Sequence, residues 1–330
     1  MNLANKKVLI TGASGFIGAH LTHRVFNQGA EVCIITKYNS VIDNIRLVNI
    51  WDRIHIIEAD LRNVDSLNSI RDFKPDVVFH LAAYNHVGDS FIHISETLNS
   101  NILGTANLLE AYGGYEKFVY ISTSEIYGYQ KEVPFREDFT PCPISPYAIG
   151  KYSGELYANM KMKMMDKPIV IIRPFNAFGP YQSPKAIIPE VIIKCLQGKN
   201  IETTEGMQTR EFNYVSNLVD GFMLAAENNN SVGEIINMGW GGEIRIKDLM
   251  LKIHEMTESK SDLQIGKLPH RPTEIWRMCA DNTKASKLLN WTPRVTFDEG
   301  LLKTIDWYRT YVDEYSNPSS ALSKLVQCYD

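Results

Sequence analysis

An α/β fold built on a doubly wound parallel sheet, followed by a smaller, mixed α/β C-terminal lobe, is what this sequence predicts. Three observations carry the expectation. Short apolar runs alternate with helix-like segments through the first half, the pattern of strands buried between two helical layers. Gly12, Gly15 and Gly18 recur every third residue where the first run, Val8-Leu9-Ile10, gives way to a helix. At 330 residues, 44% hydrophobic and 22% charged, the chain can hold one large domain and an additional lobe with ample core.

The bulk properties exclude several classes. A net charge of −4 is wrong for a nucleic-acid binder, which concentrates basic residues on one face. The 5 cysteines (Cys33, Cys142, Cys195, Cys279 and Cys328) form no Cys-x-x-Cys and read as reduced thiols of a cytosolic protein. Residues 1–7 are polar and the first strand follows at once, so no signal peptide is expected. No apolar run reaches membrane-spanning length. The expected setting is cytoplasmic, with neither nucleic acid nor membrane as partner.

Each glycine of the first loop has its own reason to lack a side chain. Gly12 allows the tight turn, Gly15 lets backbone N–H groups approach a pyrophosphate, and Gly18 lets the helix pack on the strand. The helix, starting near Phe16, then points a positive dipole end at the phosphates. Strand, loop and helix together are the context that confirms a dinucleotide site of the Rossmann type. Gly12, Ser14, Gly15, Phe16, Ile17 and Gly18 are therefore assigned to NAD or NADP.

His20 and His23 lie three apart on this helix, but with no third ligand near they read as a solvated face. Residues 31–35 form the second strand. An acidic residue at its end would favour NAD. The sequence instead runs Thr36-Lys37-Tyr38, with Arg46 further on, and two cations without a carboxylate lean toward the 2′-phosphate of NADP. Residues 53–59 are the third strand, and Asp60-Leu61 after it suits the adenine edge. A helix over 65–73 and a fourth strand over 76–80 follow. Leu81-Ala82-Ala83 is slim enough for the chain to pass beneath a cofactor, and residues 84–91 form a polar loop. A long helix over 96–112 leads to the fifth strand, 118–122.

That strand ends in Ser122-Thr123-Ser124-Glu125-Ile126-Tyr127-Gly128. Further on, Ser145-Pro146-Tyr147-Ala148-Ile149-Gly150-Lys151 starts a helix at Pro146, and Tyr147 and Lys151 share one face four residues apart. A lysine ammonium beside a tyrosine, with a nicotinamide cation nearby, lowers the phenol from its ordinary value of about 10 and makes it a base. On its own this spacing arises by chance on many helices. Together with the glycine loop and a hydroxyl-rich strand end it marks an active site.

These motifs in this order resemble the extended short-chain dehydrogenases/reductases, and the likeness covers nearly the whole chain. Within that family, Ser122–Gly128 resembles the nucleotide-sugar 4,6-dehydratases, and His86-Val87-Gly88-Asp89-Ser90-Phe91 is similar to the GDP-mannose enzymes. From Arg173-Pro174-Phe175-Asn176 through Ala186-Ile187-Ile188-Pro189 the chain looks closer to dehydratases acting on nucleotide-linked N-acetylglucosamine. The resemblance implies a cofactor held also by Lys37, Asp60, Leu61, Leu81, Ala82, Ala83, Tyr147 and Lys151, tightly bound and regenerated in each turnover. It implies a nucleotide-diphosphate sugar as substrate, met by His86, Asn176, Arg210 and Arg277, and a homodimer through the 96–112 and 147–165 helices. UDP-glucuronate decarboxylases share the Thr-Ser-Glu triplet. A decarboxylase needs a further arginine, and Arg271 is the evident spare.

The second half continues with a strand over 168–173, a turn, and a helix through Leu196. Residues 209–215 return toward the sheet, 216–227 are a helix and 234–238 a strand. Gly239-Trp240-Gly241-Gly242 reads as a plain turn, and 247–257 as an amphipathic helix. Another helix starts over 281–285. Met162, Met164 and Met165 read as core filling, and the last dozen residues as loosely ordered. This assigns 1–174, with a return segment of 209–238, to the NAD(P)-binding domain, and 175–208 with 239–330 to the nucleotide-sugar lobe.

The expected chemistry is a 4,6-dehydration. Tyr147, assisted by Lys151 and Thr123, takes the proton of the sugar hydroxyl at carbon 4 while hydride leaves to the nicotinamide. Glu125 takes the proton from carbon 5, and Glu125 or Ser124 protonates the leaving hydroxyl of carbon 6. The dTDP-glucose enzymes carry an Asp where this chain has Ser124, so serine must rely on Glu125. The alternatives are decarboxylation, 4-epimerisation, or an NADP-binding scaffold without turnover; a scaffold fits poorly with a retained Tyr and Lys.

Overall fold

The computed structural model describes residues 2–41, 43–270 and 274–316. Arg271, Cys328 and the tail beyond Ser316 lie outside them. The first six strands are β1 (Lys7–Thr11), β2 (Glu31–Thr36), β3 (His55–Glu58), β4 (Val77–His80), β5 (Lys117–Ile121) and β6 (Ile169–Pro174). After them come β7 (Ala177–Phe178), β8 (Ile201–Thr203), β9 (Thr209–Arg210), β10 (Asn213–Tyr214), β11 (Ile235–Met238), β12 (Ile244–Arg245) and β13 (Leu263–Ile265). Seven of these make one parallel sheet in the order β11-β6-β5-β4-β1-β2-β3. The order reverses between β1 and β4, and ligands bind such sheets at that reversal, outside the C-terminal strand ends.

The central strands are buried on both faces, as a parallel sheet requires. Helices α1 (Phe16–Asn27), α2 (Ser69–Phe73), α3 (Val87–Ser90), α4 (Ile94–Leu98), α5 (Gly104–Ala111) and α6 (Pro146–Met164) lie in the first half. One core joins α1 to the sheet through Leu21 and Val25 against Val8, Ile10, Val77 and Phe79. The opposite core sets Leu108, Leu109 and Ala158 on Leu9, Phe118, Tyr120 and Ile171. Helices α7 (Ile187–Leu196), α8 (Val215–Glu227), α9 (Ile246–Met256), α10 (Thr283–Leu289) and α11 (Phe297–Ser316) complete the chain. Of these, α7, α9 and α11 share a third core, with Ile192, Ile253 and Ile305 among its members.

The structure differs from the sequence expectations in several places. The helix over 96–112 is α4, a π-helical turn at Asn99–Leu103, and α5. Residues 209–214 do not join the large sheet: β9 pairs with β12 and β10 with β7, while α8 packs on the sheet's core and β11 joins its edge. Only Met162 of the methionine run is buried, and Met164 is 77% exposed because it points off the last turn of α6. His20 and His23 are half-buried rather than a free solvated face; their Nε2 atoms bond the carbonyls of Pro180 and Arg46 at 3.1 and 2.8 Å. Helix α11 was not expected, although Thr296 and Glu299 bracket its start as a reciprocal cap, with N–H to side-chain bonds of 2.9 and 3.3 Å.

The glycine loop is fixed by packing. Gly12 sits at φ +72°, and a Cβ there would stand 2.7 Å from the Ala82 nitrogen. A Cβ on Gly18 would stand 2.0 Å from the Gly12 carbonyl oxygen, so α1 can lie this close to β1 only with glycine at that position. Gly18→Ala must push α1 off the sheet and is expected to cost about 1–3 kcal/mol, the usual range for overpacking. Urea denaturation measures the loss, and a wild-type midpoint in that variant would refute the packing argument.

Candidate active site

A cleft of about 600 Å³ opens along the C-terminal strand ends. Every residue assigned to the cofactor from the sequence lines it: the glycine loop from Gly12 to Gly18 at its floor, Lys37 with Asp60 and Leu61 at one end, Leu81-Ala82-Ala83 in the middle, and Tyr147 with Lys151 at the other end. Helix α1 begins after Gly15 with no side-chain cap, leaving the first-turn backbone to meet a ligand. The slot between the loop and Ala82 leaves no room for a Cβ. A long, slim group carrying phosphates at its centre fits these features, as a dinucleotide does.

At the far end of the cleft, Thr123 caps the short turn Ser124–Tyr127, its hydroxyl oxygen accepting the Glu125 N–H at 3.2 Å. That leaves the Thr123 proton free for the Tyr147 phenol, to which it is hydrogen-bonded. Glu125 is not among the lining residues, but it lies within electrostatic reach of Tyr147, Arg210 and Glu274. Burial raises its pKa; Arg210 opposes that and Glu274 adds to it. Ser124 is buried, and its hydroxyl donates to the Met278 sulfur at 3.4 Å, a weak acceptor.

The expected lowering of the Tyr147 phenol rests on Lys151 and a bound nicotinamide cation together, and the protein's own groups on balance act the other way. Burial pushes the phenol up to about 12 against the Thr123 hydrogen bond, and the Glu125 charge adds to the rise. Lys151 does not reverse this, because it is only 2% exposed and burial takes its own ammonium down to about 7 despite Glu155. Its Nζ lies 4.4 Å from the centre of the Tyr120 ring.

One turn beyond Lys151, Glu155 anchors α6 to the sheet. Its carboxylate accepts from Ser122 at 2.6 Å and from the Arg173 Nη2 at 2.5 Å. Arg173 continues to the Tyr127 hydroxyl at 2.8 Å, which donates to Asn237 at 2.6 Å. The Glu155 and Arg173 side chains are each 3% exposed.

The residues expected at the substrate are less concentrated. Asn176 lines the cleft and donates to the Glu211 carbonyl at 3.1 Å. His86, Arg210 and Arg277 do not line it. The His86 Nδ1 accepts the Asp89 N–H at 3.0 Å, capping α3. Arg210 is paired with Glu274 at 2.5 Å, and Arg277 with Glu243. Next to Arg210, Glu211 is fully buried, its carboxylate accepting N–H groups from Ala280 at 2.5 Å and Gly241 at 3.1 Å. Gly239 must be glycine here, since a Cβ would meet the Glu211 Oε1 at 2.1 Å. The Gly239–Gly242 turn is therefore built around a carboxylate.

Sequence reasoning missed Arg62, Glu96, Glu155 and Glu211. Glu155 had a signal, its place four residues past Lys151 on the same helix face. Glu96 had none, because it reaches the cleft from a helix far along the chain.

Among the described residues no group of three or more acidic, histidine or cysteine side chains is placed to hold a metal ion. A sheet that reverses at β1 and β4, a glycine loop opening α1, and Tyr147 and Lys151 over the strand ends define an extended short-chain dehydrogenase/reductase. The sequence model of the GDP-mannose 4,6 dehydratases matches residues 9–304, and the chain belongs to that family. It is 30% identical to the dTDP-D-glucose 4,6-dehydratase of Bos taurus over 331 residues, 96% of this chain and 92% of that one. The UDP-glucuronic acid 4-epimerase of Bacillus cereus, solved with UDP-glucuronic acid and NAD, superposes with a TM-score of 0.84 at 32% identity, covering 92% of this chain and 99% of that one. DesIV, the dTDP-glucose 4,6-dehydratase of Streptomyces venezuelae, solved with NAD, also gives 0.84, at 27% identity over 92% and 97%.

Two stability measurements test this geometry. Arg173→Met strands the Glu155 carboxylate and is expected to cost about 3–5 kcal/mol, most of it recovered in Arg173→Met/Glu155→Leu; equal losses in both variants would count against the pair. Burial lifts Glu211 from 4.5 to about 7, so the folded chain holds this proton more tightly than the unfolded chain. The stability it adds is fully present below about pH 4.5 and is lost as the pH rises through about 7. Glu211→Gln should flatten that decline, and denaturation midpoints that keep the wild-type pH profile would contradict it.

Proposed function

We propose that this chain is a nucleotide-sugar 4,6-dehydratase, forming a 4-keto-6-deoxyhexose from a nucleotide-diphosphate hexose. The observation that carries this reading is Glu125. It is a carboxyl group with a raised pKa, on the same turn as Thr123 and within electrostatic reach of Tyr147. A 4-epimerase has no use for it, whereas an elimination needs a base for the hydrogen on carbon 5 and an acid for the hydroxyl on carbon 6.

The bound nicotinamide would accept a hydride from carbon 4 of the sugar and return it to carbon 6. The protein's part is proton handling. Tyr147 receives the proton of the hydroxyl on carbon 4, and the Thr123 O–H steadies the phenolate. The resulting ketone acidifies the hydrogen on carbon 5, which Glu125 removes. Glu125 then gives a proton to the departing hydroxyl of carbon 6, so one water leaves. The proton held by Tyr147 returns to carbon 5. Because Ser124 is bonded to Met278, the acid role falls to Glu125.

Asn176 and His86 are assigned to the substrate, and Arg210 and Arg277 to its diphosphate, for which guanidinium forks suit the oxygens. A diphosphate must compete there with Glu274 and Glu243. The division near Pro174 then separates a cofactor domain from a nucleotide-sugar lobe. The free Cys33, Cys142, Cys195 and Cys279 support a cytoplasmic setting. No helix among the described residues is long and apolar enough to cross a membrane. A homodimer is supported by the exposed Ile149, Leu156 and Met160 along α6, with Leu103 exposed on the neighbouring helix.

Incubation with UDP-, GDP- and dTDP-hexoses, N-acetylated ones included, followed by mass spectrometry tests the activity. Loss of about 18 Da supports dehydration, loss of about 44 Da means decarboxylation, and an isomer of unchanged mass returns the chain to the epimerases. Glu125→Gln is expected to reduce bound cofactor yet release water about 10²–10⁴-fold more slowly. Unimpaired turnover in that variant would remove Glu125 from the mechanism. For the dimer, Leu156→Glu should sediment as a monomer; an unchanged sedimentation coefficient would point to another surface.

A further inference from the structure

The end of the cleft at β2 and β3, away from Tyr147, holds four charged side chains in contact. The Lys37 Nζ is 3.4 Å from the Glu96 carboxylate and 3.8 Å from Asp60. Arg62 grips Asp60 through Nε at 2.9 Å and Nη2 at 2.5 Å, and its Nη1 bonds Glu96. All four line the cleft. Asp60 and Arg62 are near neighbours in sequence, but Glu96 arrives from α4 and touches both cations. The pairing neutralises the set, two positive charges against two negative.

This bears on which dinucleotide the cleft accepts, and so rests on the reading that it holds NAD or NADP. The two differ by a phosphate on the adenosine ribose, which pairs with cations and must compete with any carboxylate already holding them, whereas a ribose diol needs an acceptor. Among the described residues lining this end of the cleft, the cations are Lys37 and Arg62, and Glu96 engages both. Arg46, the other cation expected to meet a 2′-phosphate, is turned away. Its guanidinium donates to the carbonyls of Ser14 and Tyr181, each at 3.1 Å, and does not line the cleft. A doubly charged phosphate would displace Glu96 and be repelled by it. We propose that Glu96 sets the cofactor preference of this protein: by occupying Lys37 and Arg62 it closes the 2′-phosphate site, so the chain selects NAD over NADP.

The test is calorimetric titration of the cofactor-stripped full-length protein with NAD+ and with NADP+, for wild type, Glu96→Gln and Glu96→Gln/Lys37→Met. Wild type is expected to bind NAD+ more tightly. The side chains are partly exposed, so releasing two ion pairs should narrow the NAD+ to NADP+ ratio of dissociation constants by about tenfold in Glu96→Gln. Adding Lys37→Met should take back most of that gain, which a general loosening of the cleft would not do. Wild type that prefers NADP+, or a ratio left unmoved by Glu96→Gln, overturns the assignment to Glu96 while the dinucleotide site stands. Failure of wild type to bind either dinucleotide overturns the site reading and this assignment together.

Discussion

The ion pair between Glu155 and Arg173 is the constraint on which the site depends. Two ionised groups taken out of water in this way are costly unless every lone pair and proton finds a partner. Here Ser122, Tyr127 and the Glu137 carbonyl supply the partners, and Tyr127 in turn donates to Asn237 on β11. The pair therefore fixes α6 against β5, β6 and β11 at the height of the strand ends. Tyr147 and Lys151, on the turns just before Glu155, inherit that position. A purely apolar contact would hold α6 to the sheet without fixing how far it slides along it.

The opposite wall of the cleft is set by contact distance rather than charge. Gly12 and Gly18 remove the atoms that would keep β1, α1 and the Leu81–Ala82 segment apart, so the loop between them is shaped by its neighbours. In and around the cleft, the titratable groups are moved chiefly by burial. Tyr147, Glu125 and Glu211 go up and Lys151 goes down. Each shift penalises the charged form, as expected where water is excluded. A site of this kind stores little charge of its own and is poised to respond to charge brought by a ligand.

Dehydratases and epimerases superpose on this chain about equally well. That is expected of a fold that positions a tyrosine and a cofactor and leaves the outcome to a few side chains beyond them. In the function proposed above, the difference rests on what stands beside Thr123 and on how Arg210 and Arg277 are held. Both arginines are already engaged by carboxylates, and Glu211 clamps the segment that carries Arg210 to the Gly239–Gly242 turn.

The sequence by itself determined the sheet, the glycine loop and the Tyr147–Lys151 pair, because each is a local pattern: apolar runs, a three-residue spacing, two positions on one helix face. It placed the cofactor-assigned residues along the cleft for the same reason, since residues at the ends of consecutive parallel strands must gather at one edge, but it did not place Arg62 and Glu96 there. The reciprocal cap at Thr296 and Glu299 is equally local, a sequence signal for the start of α11. Only the tertiary structure decided the charge state around these residues. Glu96 meets Lys37, Glu274 meets Arg210 and Glu155 meets Arg173 across long stretches of chain. The raised phenol of Tyr147 follows from how much water the surrounding segments exclude. Burial and long-range ion pairing are properties of packed neighbours, and no spacing along a single chain encodes them.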